Sequence, residues 1–286
     1  MSKIKYFFQF IIIIFMFFIF KILGIRLSSY IGGKIFQFIG PLFRSRKLIE
    51  SNIQKAFPTI DQQKQNKIIA AMWNNYGRVF AEYMFIKDFR NNQLSNNIII
   101  EGKEILENIK KNNERVVFIS GHFSNFELMA MEIEKFGIKI AAIYRPLNNI
   151  FLNKIMENIR IKYICKNQIK KGISGTRELL RYFKKNYSIA LMIDQRVSEG
   201  IKLNFYGRPA FTTTIPAQLI KKFKCKVVPV HIERINKIHY KMFVNDPITY
   251  SETSTTEDIT QDLNNWLERM ILKNPSQWIW SHNRWK

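Results

Sequence analysis

The chain has only two cysteines in 286 residues, Cys165 and Cys225. They lie far apart, with no Cys-x-x-Cys spacing and no nearby histidine pair. Neither a disulfide scaffold nor a zinc site has its ligands, and both read as buried apolar thiols. Acids are scarce as well: 22 Asp plus Glu stand against 45 Lys plus Arg, for a formal charge of +23. That excess points to anionic partners, and nucleic acid, lipid headgroups and acidic carrier proteins all qualify on charge alone. No P-loop, Gly-x-Gly-x-x-Gly fingerprint or Gly-x-Ser-x-Gly elbow occurs, so nucleotide and serine-hydrolase readings lack their anchors. No basic stripe interleaved with aromatics occurs either, which sets nucleic acid aside. Internal repeats and long linkers are missing.

What is present begins at the first residues. Lys3 and Lys5 precede residues 6–20, an almost unbroken run of Phe and Ile containing one Gln9. At 1.5 Å per residue it covers roughly 22 Å of a roughly 30 Å hydrocarbon layer. Residues 22–25, with Lys21 snorkelling, bring it near spanning length. A cleaved signal peptide is the competing reading. No Ala-x-Ala site follows, however, and Arg26, Lys34, Arg44, Arg46 and Lys47 resist translocation. The expectation is a retained membrane anchor over residues 1–28 and a folded body, 29–286, on the cytoplasmic side. Residues 30–43 suit an interfacial helix and a plain core helix equally.

Residues 29–100 read as helical and membrane-proximal, with a break at Pro58, and 101–286 as an α/β core. Short apolar runs at 116–120, 140–144, 189–193 and 227–232 read as strands buried on both faces. Helical stretches at 125–135, 151–160, 176–185 and 216–223 separate them. The alternation predicts an α/β fold with a central, largely parallel sheet flanked by helices. Residues 240–245 read as a further strand, for which an antiparallel pairing is open. A final helix over 256–273 has a candidate capping box in Ser254 and Glu257.

Chemistry in such a sheet gathers where strands end and helices begin. His122 comes just after the strand ending at Ser120, and a neutral imidazole can take a hydroxyl proton near neutral pH. Glu127, one turn on, is placed to hold the ring's other nitrogen, with the substrate hydroxyl in the part of a triad serine. The plainer reading makes Ser124 and Glu127 a capping box. Arg145, in Tyr144-Arg145-Pro146, suits a phosphate clamp, an oxyanion partner or a simple surface arginine. Asp194, after the apolar strand at 189–193, can pair with Arg145, support His122 or cap the next stretch of chain. Residues 205–212 read as a turn whose apolar side chains suit an acyl pocket and whose Arg208 suits an anionic group.

Together these pieces resemble the lipid A biosynthesis acyltransferases, the late lauroyl/myristoyl family of the wider lysophospholipid acyltransferase group. The resemblance runs through Asn52 to Pro58, Gly121-His122 to Glu127, Tyr144-Arg145-Pro146, Asp194-Gln195 and Phe205 to Ala210. Its most specific part is the ending Trp278-Ile279-Trp280-Ser281-His282-Asn283-Arg284-Trp285-Lys286. It implies transfer of an acyl chain from acyl-carrier protein to a hydroxyl of a Kdo-bearing lipid A precursor, at the cytoplasmic face of the inner membrane. It also implies His122 as base, Glu127 as its partner, a functional arginine (Arg145 or Arg160) and Asp194. No cofactor or metal is required, since a thioester is already an activated donor. Two other readings remain: an acceptor such as a phosphatidylinositol mannoside or lyso-lipid, and a non-enzymatic, basic, membrane-tethered binding protein.

Overall fold

The computed structural model describes residues 3–91 and 93–286. Its first helix, α1 (Lys3–Ile39), is two segments joined at Gly24, whose φ of 72° breaks the helical path. A residue with a Cβ would be strained there. The outer side of the first segment leaves Ile4, Phe8, Ile12, Phe15, Phe18 and Ile22 exposed. Among the described residues, this helix with its short continuation to Leu42 is long and apolar enough to cross a membrane.

The inner side of α1 is docked on the body. α2 (Arg46–Ala56) and α3 (Gln62–Glu82) come next, and Phe17 packs at 4.9 Å on Phe80 of α3. In the second segment a Cβ on Gly32 would stand 2.6 Å from the Gly77 carbonyl oxygen, so the two helices meet backbone to backbone. Leu27, Tyr30 and Phe38 of that segment face outward and are exposed. The stretch expected as either interfacial or core thus packs one face on α3, as a core helix does, and leaves apolar side chains exposed on the other.

After a short α4 (Ile86–Arg90) come β1 (Ile98–Glu101), α5 (Lys103–Lys111), β2 (Val117–Ser120), α6 (Glu127–Lys135), β3 (Ile140–Tyr144) and α7 (Ile150–Ile159). A π-helical turn, Arg160–Ile164, extends α7. The chain continues with β4 (Asn167–Lys170), α8 (Ile173–Lys184), β5 (Ser188–Met192), β6 (Ile201–Phe205), β7 (Arg208–Thr212), α9 (Ile215–Phe223), β8 (Val227–Asn236), β9 (His239–Val244) and α10 (Thr256–Lys273).

The main sheet has the order β1-β9-β8-β2-β5-β3-β4. All its pairings are parallel except β8 with β9. Strand periodicity divides the core in two. Val117, Ile119, Ile189 and Leu191 face α3, α9 and α10, while Val116, Phe118, Val228 and Val230 face α5 and α6.

Two expectations are corrected. Residues 205–212 are a hairpin rather than a turn, β6 against β7, with Tyr206 and Gly207 both at positive φ in its two-residue loop. The capping box of α10 is Thr255 with Asp258, one residue later than Ser254 and Glu257.

A buried carboxylate, Glu82 at the end of α3, ties these layers together. It accepts from Ser29 Oγ at 2.7 Å, Asn125 Nδ2 at 3.2 Å, Arg234 Nη2 at 3.1 Å and the Tyr240 hydroxyl. α1, α3, the loop before α6, β8 and β9 thus share one charge.

Candidate active site

β2, β5 and β3 are neighbours and parallel, so their C-terminal ends, Ser120, Met192 and Tyr144, share one sheet edge. The loops leaving them converge on a cleft of about 390 Å³. His122 lies on the first loop and Asp194 on the second. Ser120 pairs with Met192 in the strand register, which sets residues 122 and 194 side by side.

The His122 Nδ1 and Asp194 Oδ1 are 2.7 Å apart. The His122 backbone N–H donates to Asp194 Oδ2 at 2.7 Å, and the Trp278 indole N–H donates to the same oxygen at 2.9 Å. An ionised carboxylate only accepts, so Nδ1 carries the ring proton and Nε2 keeps its lone pair. Asp194 is fully buried, whereas the His122 side chain is 20 % exposed and lines the cleft.

Burial pushes the His122 pKa down, but the charge and hydrogen bond of Asp194, helped by the Glu127 charge, carry it above the ordinary imidazole value. Burial pushes Asp194 up, yet the His122 charge and the three hydrogen bonds hold it below the usual carboxylate range.

Glu127 does not hold the ring. It opens α6 and accepts from Arg160 Nε at 2.9 Å, with Arg160 Nη2 also in contact. The capping box with Ser124 is not formed: Phe126 is the cap, without a side-chain bond, and Ser124 sits at positive φ. Arg160 stands at the junction of α7 and the π turn, its guanidinium 5.7 Å from the Tyr144 ring centroid. Such turns place side chains that a regular helix would direct elsewhere. Burial lowers the Arg160 pKa, but the charge and hydrogen bond of Glu127, with Tyr83 and Tyr144 beside it, together carry it above the ordinary value.

Arg145 is exposed and lines the cleft, as do Arg44 and Lys171. Arg208 does not: it lies on the β6–β7 hairpin, where its charge, after burial, helps lower the pKa of Lys55. Phe205 and Ala210 of that hairpin sit in the packed core rather than in the cleft. The cleft's apolar wall comes from elsewhere, from Phe118, Met129, Ile133, Ala142, Ala190, Met192 and Val230, between α6 and the sheet.

Residue-by-residue reading missed Trp278 and Arg44. Trp278 belongs to the closing tryptophan-rich segment, which carried the resemblance without suggesting a role. That segment is strapped down by Asn52, whose amide donates to the carbonyls of Trp280 and His282 at 2.9 and 2.8 Å, and by the buried Arg284 on Thr212 Oγ1 at 2.7 Å. Arg44 was noted only for its charge near the anchor.

An α/β sheet edge presenting an imidazole beside an apolar recess, in a chain with an N-terminal apolar helix, is an arrangement suited to acyl transfer. The chain belongs to the bacterial lipid A biosynthesis acyltransferases, whose family model matches residues 1–286. It is 20 % identical to a lipid A biosynthesis palmitoleoyltransferase of Escherichia coli, over 90 % of this chain and 84 % of that one. It is 22 % identical to the lipid A biosynthesis myristoyltransferase of the same organism (89 % and 77 % covered) and 21 % to its lauroyltransferase (91 % and 84 %). The solved structure of a 1-acyl-sn-glycerophosphate acyltransferase from Thermotoga maritima aligns with a TM-score of 0.43 and 17 % identity, covering 88 % of this chain and 96 % of that one.

Proposed function

We propose that the enzyme transfers a fatty acyl group from an acyl-carrier-protein thioester to a hydroxyl of a Kdo-bearing lipid A precursor, with His122 as general base. The observation that carries this is the His122–Asp194 pair at 2.7 Å on the wall of an apolar-backed cleft. The acceptor oxygen attacks the thioester carbonyl as its proton passes to Nε2. The tetrahedral intermediate then expels the carrier's sulfur, which takes that proton and leaves as the thiol. Asp194 fixes the tautomer and steadies the imidazolium, the part an acid plays in a serine triad.

Glu127 acts at one remove: it holds Arg160 against the cleft wall and adds negative potential at the ring. Arg160 faces the developing oxyanion or an anionic group of the substrate. Arg44, Arg145 and Lys171 form a cationic rim suited to the phosphorylated acceptor and the acidic carrier. Arg208 serves encounter with those partners from outside the cleft. The recess under α6 takes the acyl chain, and the apolar face of residues 1–28 sits in the inner membrane with the catalytic body on the cytoplasmic side.

The test is an assay of purified full-length protein with defined acyl-carrier donors and a tetra-acylated precursor. Acyl transfer to that precursor, lost in a folded His122→Ala protein, is the expected result. Transfer to a lyso-lipid or phosphatidylinositol mannoside alone would reassign the acceptor, and an active His122→Ala protein would remove the mechanism.

A further inference from the structure

A second cleft, of about 430 Å³, opens between the second segment of α1, α3 and the residues just before Trp278. Its wall carries Gln37, Lys67, Asn74, Asn75, Arg78 and Arg234. Arg234 is neutralised by Glu82. Lys67 and Arg78 have no such partner: neither is in an ion pair among the described residues. The Arg78 guanidinium donates only to neutral oxygens, Asn74 Oδ1 at 2.8 Å and Ser29 Oγ at 3.1 Å. Burial and the nearby Arg234 charge hold Arg78 below its ordinary pKa, outweighing the opposing charge of Glu82, which Arg234 already engages. Asn75 accepts from Arg234 Nε at 3.3 Å through its oxygen, so its amide N–H groups are available as donors.

The cleft adjoins the apolar strip of α1. Phe38, next to Gln37, is 87 % exposed, and Leu27, Tyr30 and Lys34 share its helical face. Gln37, adjacent to Phe38, shares the cleft wall with Lys67 and Arg78, so the headgroup of a lipid lying along that strip would be within reach of both cations. The cavity is concave and amide-lined, a shape for a small headgroup rather than for a protein surface.

We propose that this cleft binds the phosphate of an anionic membrane lipid, with Arg78 and Lys67 supplying the charge and Asn75 a hydrogen bond. The proposal is separate from the reaction at His122. Its occupant would sit against Gln277, whose side chain bonds the Arg234 backbone at 2.8 and 2.9 Å and whose carbonyl accepts from Ser124 N–H. Lipid bound there braces the segment that delivers Trp278 to Asp194.

The experiment monitors the melting temperature of the full chain in a neutral detergent during titration with short-chain phosphatidylglycerol, phosphatidylcholine or inorganic phosphate. Phosphatidylglycerol should stabilise and phosphatidylcholine should not, because only the first brings net negative charge. Lys67→Gln and Arg78→Gln should each weaken the apparent affinity about tenfold, as expected for one lost charge-assisted hydrogen bond. Lys67 is exposed, so its variant reads the site even if Arg78→Gln folds poorly. Equal stabilisation by inorganic phosphate would overturn the lipid in favour of a free anion. No effect of phosphatidylglycerol, or a titration unchanged in both variants, would overturn the site.

Discussion

The cleft holds two acid–base pairs that look alike on paper and differ in how the fold makes them. His122–Asp194 joins two loops leaving adjacent parallel strands, so strand register sets its geometry. Glu127–Arg160 joins the first residue of α6 to a π turn at the end of α7, so it depends on how two helices dock. The first carboxylate is fully buried with three donors; the second shares its charge with one arginine near the cleft wall. A strand edge fixes the tautomer of an imidazole, whereas helix docking fixes the position of a cation. The two pairs should therefore fail differently when cut.

The largest effect is expected at the ring. His122→Ala should lower turnover about 10²–10⁴-fold in protein that still folds, though it melts lower because buried Asp194 loses a partner, read by steady-state transfer assays beside circular dichroism. On the helix side, Arg160→Gln and Glu127→Gln should each cost about 10²-fold, and the double variant little more, because one pair has been cut either way. Additive losses in that cycle would mean that Glu127 acts on the ring independently. A bulkier wall under α6 comes next: Ala190→Leu should favour shorter donors, by about tenfold between chains that differ by a few methylenes. Unchanged donor preference would place the acyl chain elsewhere.

A smaller, more diagnostic change is Trp278→Phe. It removes one donor from Asp194, leaving more negative charge for the ring, so the acid limb of the pH profile should move upward. An unmoved limb would make Trp278 a packing residue only. At the carboxylate that ties the layers together, Glu82→Ala should destabilise by about 3–5 kcal/mol, since it strands the buried Arg234. A chemical denaturation midpoint close to that of the parent protein would contradict a structural role for that carboxylate.

Much of the frame was legible because strand and helix periods are local properties. The sequence placed β3 and α10 at their observed bounds, and the parallel sheet is a consequence of the alternation of elements. β1, α5 and β4 escaped it: β1 and β4 are four residues each, and β4, Asn167–Lys170, is mostly polar. The break at Gly24 was invisible inside a run of apolar residues that reads as continuous. At the site, His122, Glu127, Arg160 and Asp194 were all named, but Glu127 was given to the wrong partner. Five residues of separation suggested a contact; register across 72 residues made the actual one. Sequence proximity along a loop and helix start says little about which side chains share an edge. Arg208 likewise stood in a distinctive motif whose hairpin carries it away from the cleft.

The sign of the His122 shift gives the most direct test. A base with a raised pKa is charged, and inactive, until the pH exceeds that raised value. The same ion pair stabilises the fold fully below the imidazole's unfolded pKa and loses that contribution as pH rises through the folded one. For Asp194, whose pKa is depressed, the stabilisation is present above the unfolded carboxylate value and is lost as pH falls through the folded one. The decisive measurement is the pH dependence of single-turnover acyl transfer for the parent enzyme and Asp194→Asn. The parent's acid limb should lie above the ordinary imidazole value; in the variant it should move down while the plateau drops about 10²–10⁴-fold. A limb and plateau that both stay in place, or that respond to Glu127→Gln instead, would contradict the assignment of Asp194 as the partner of the base.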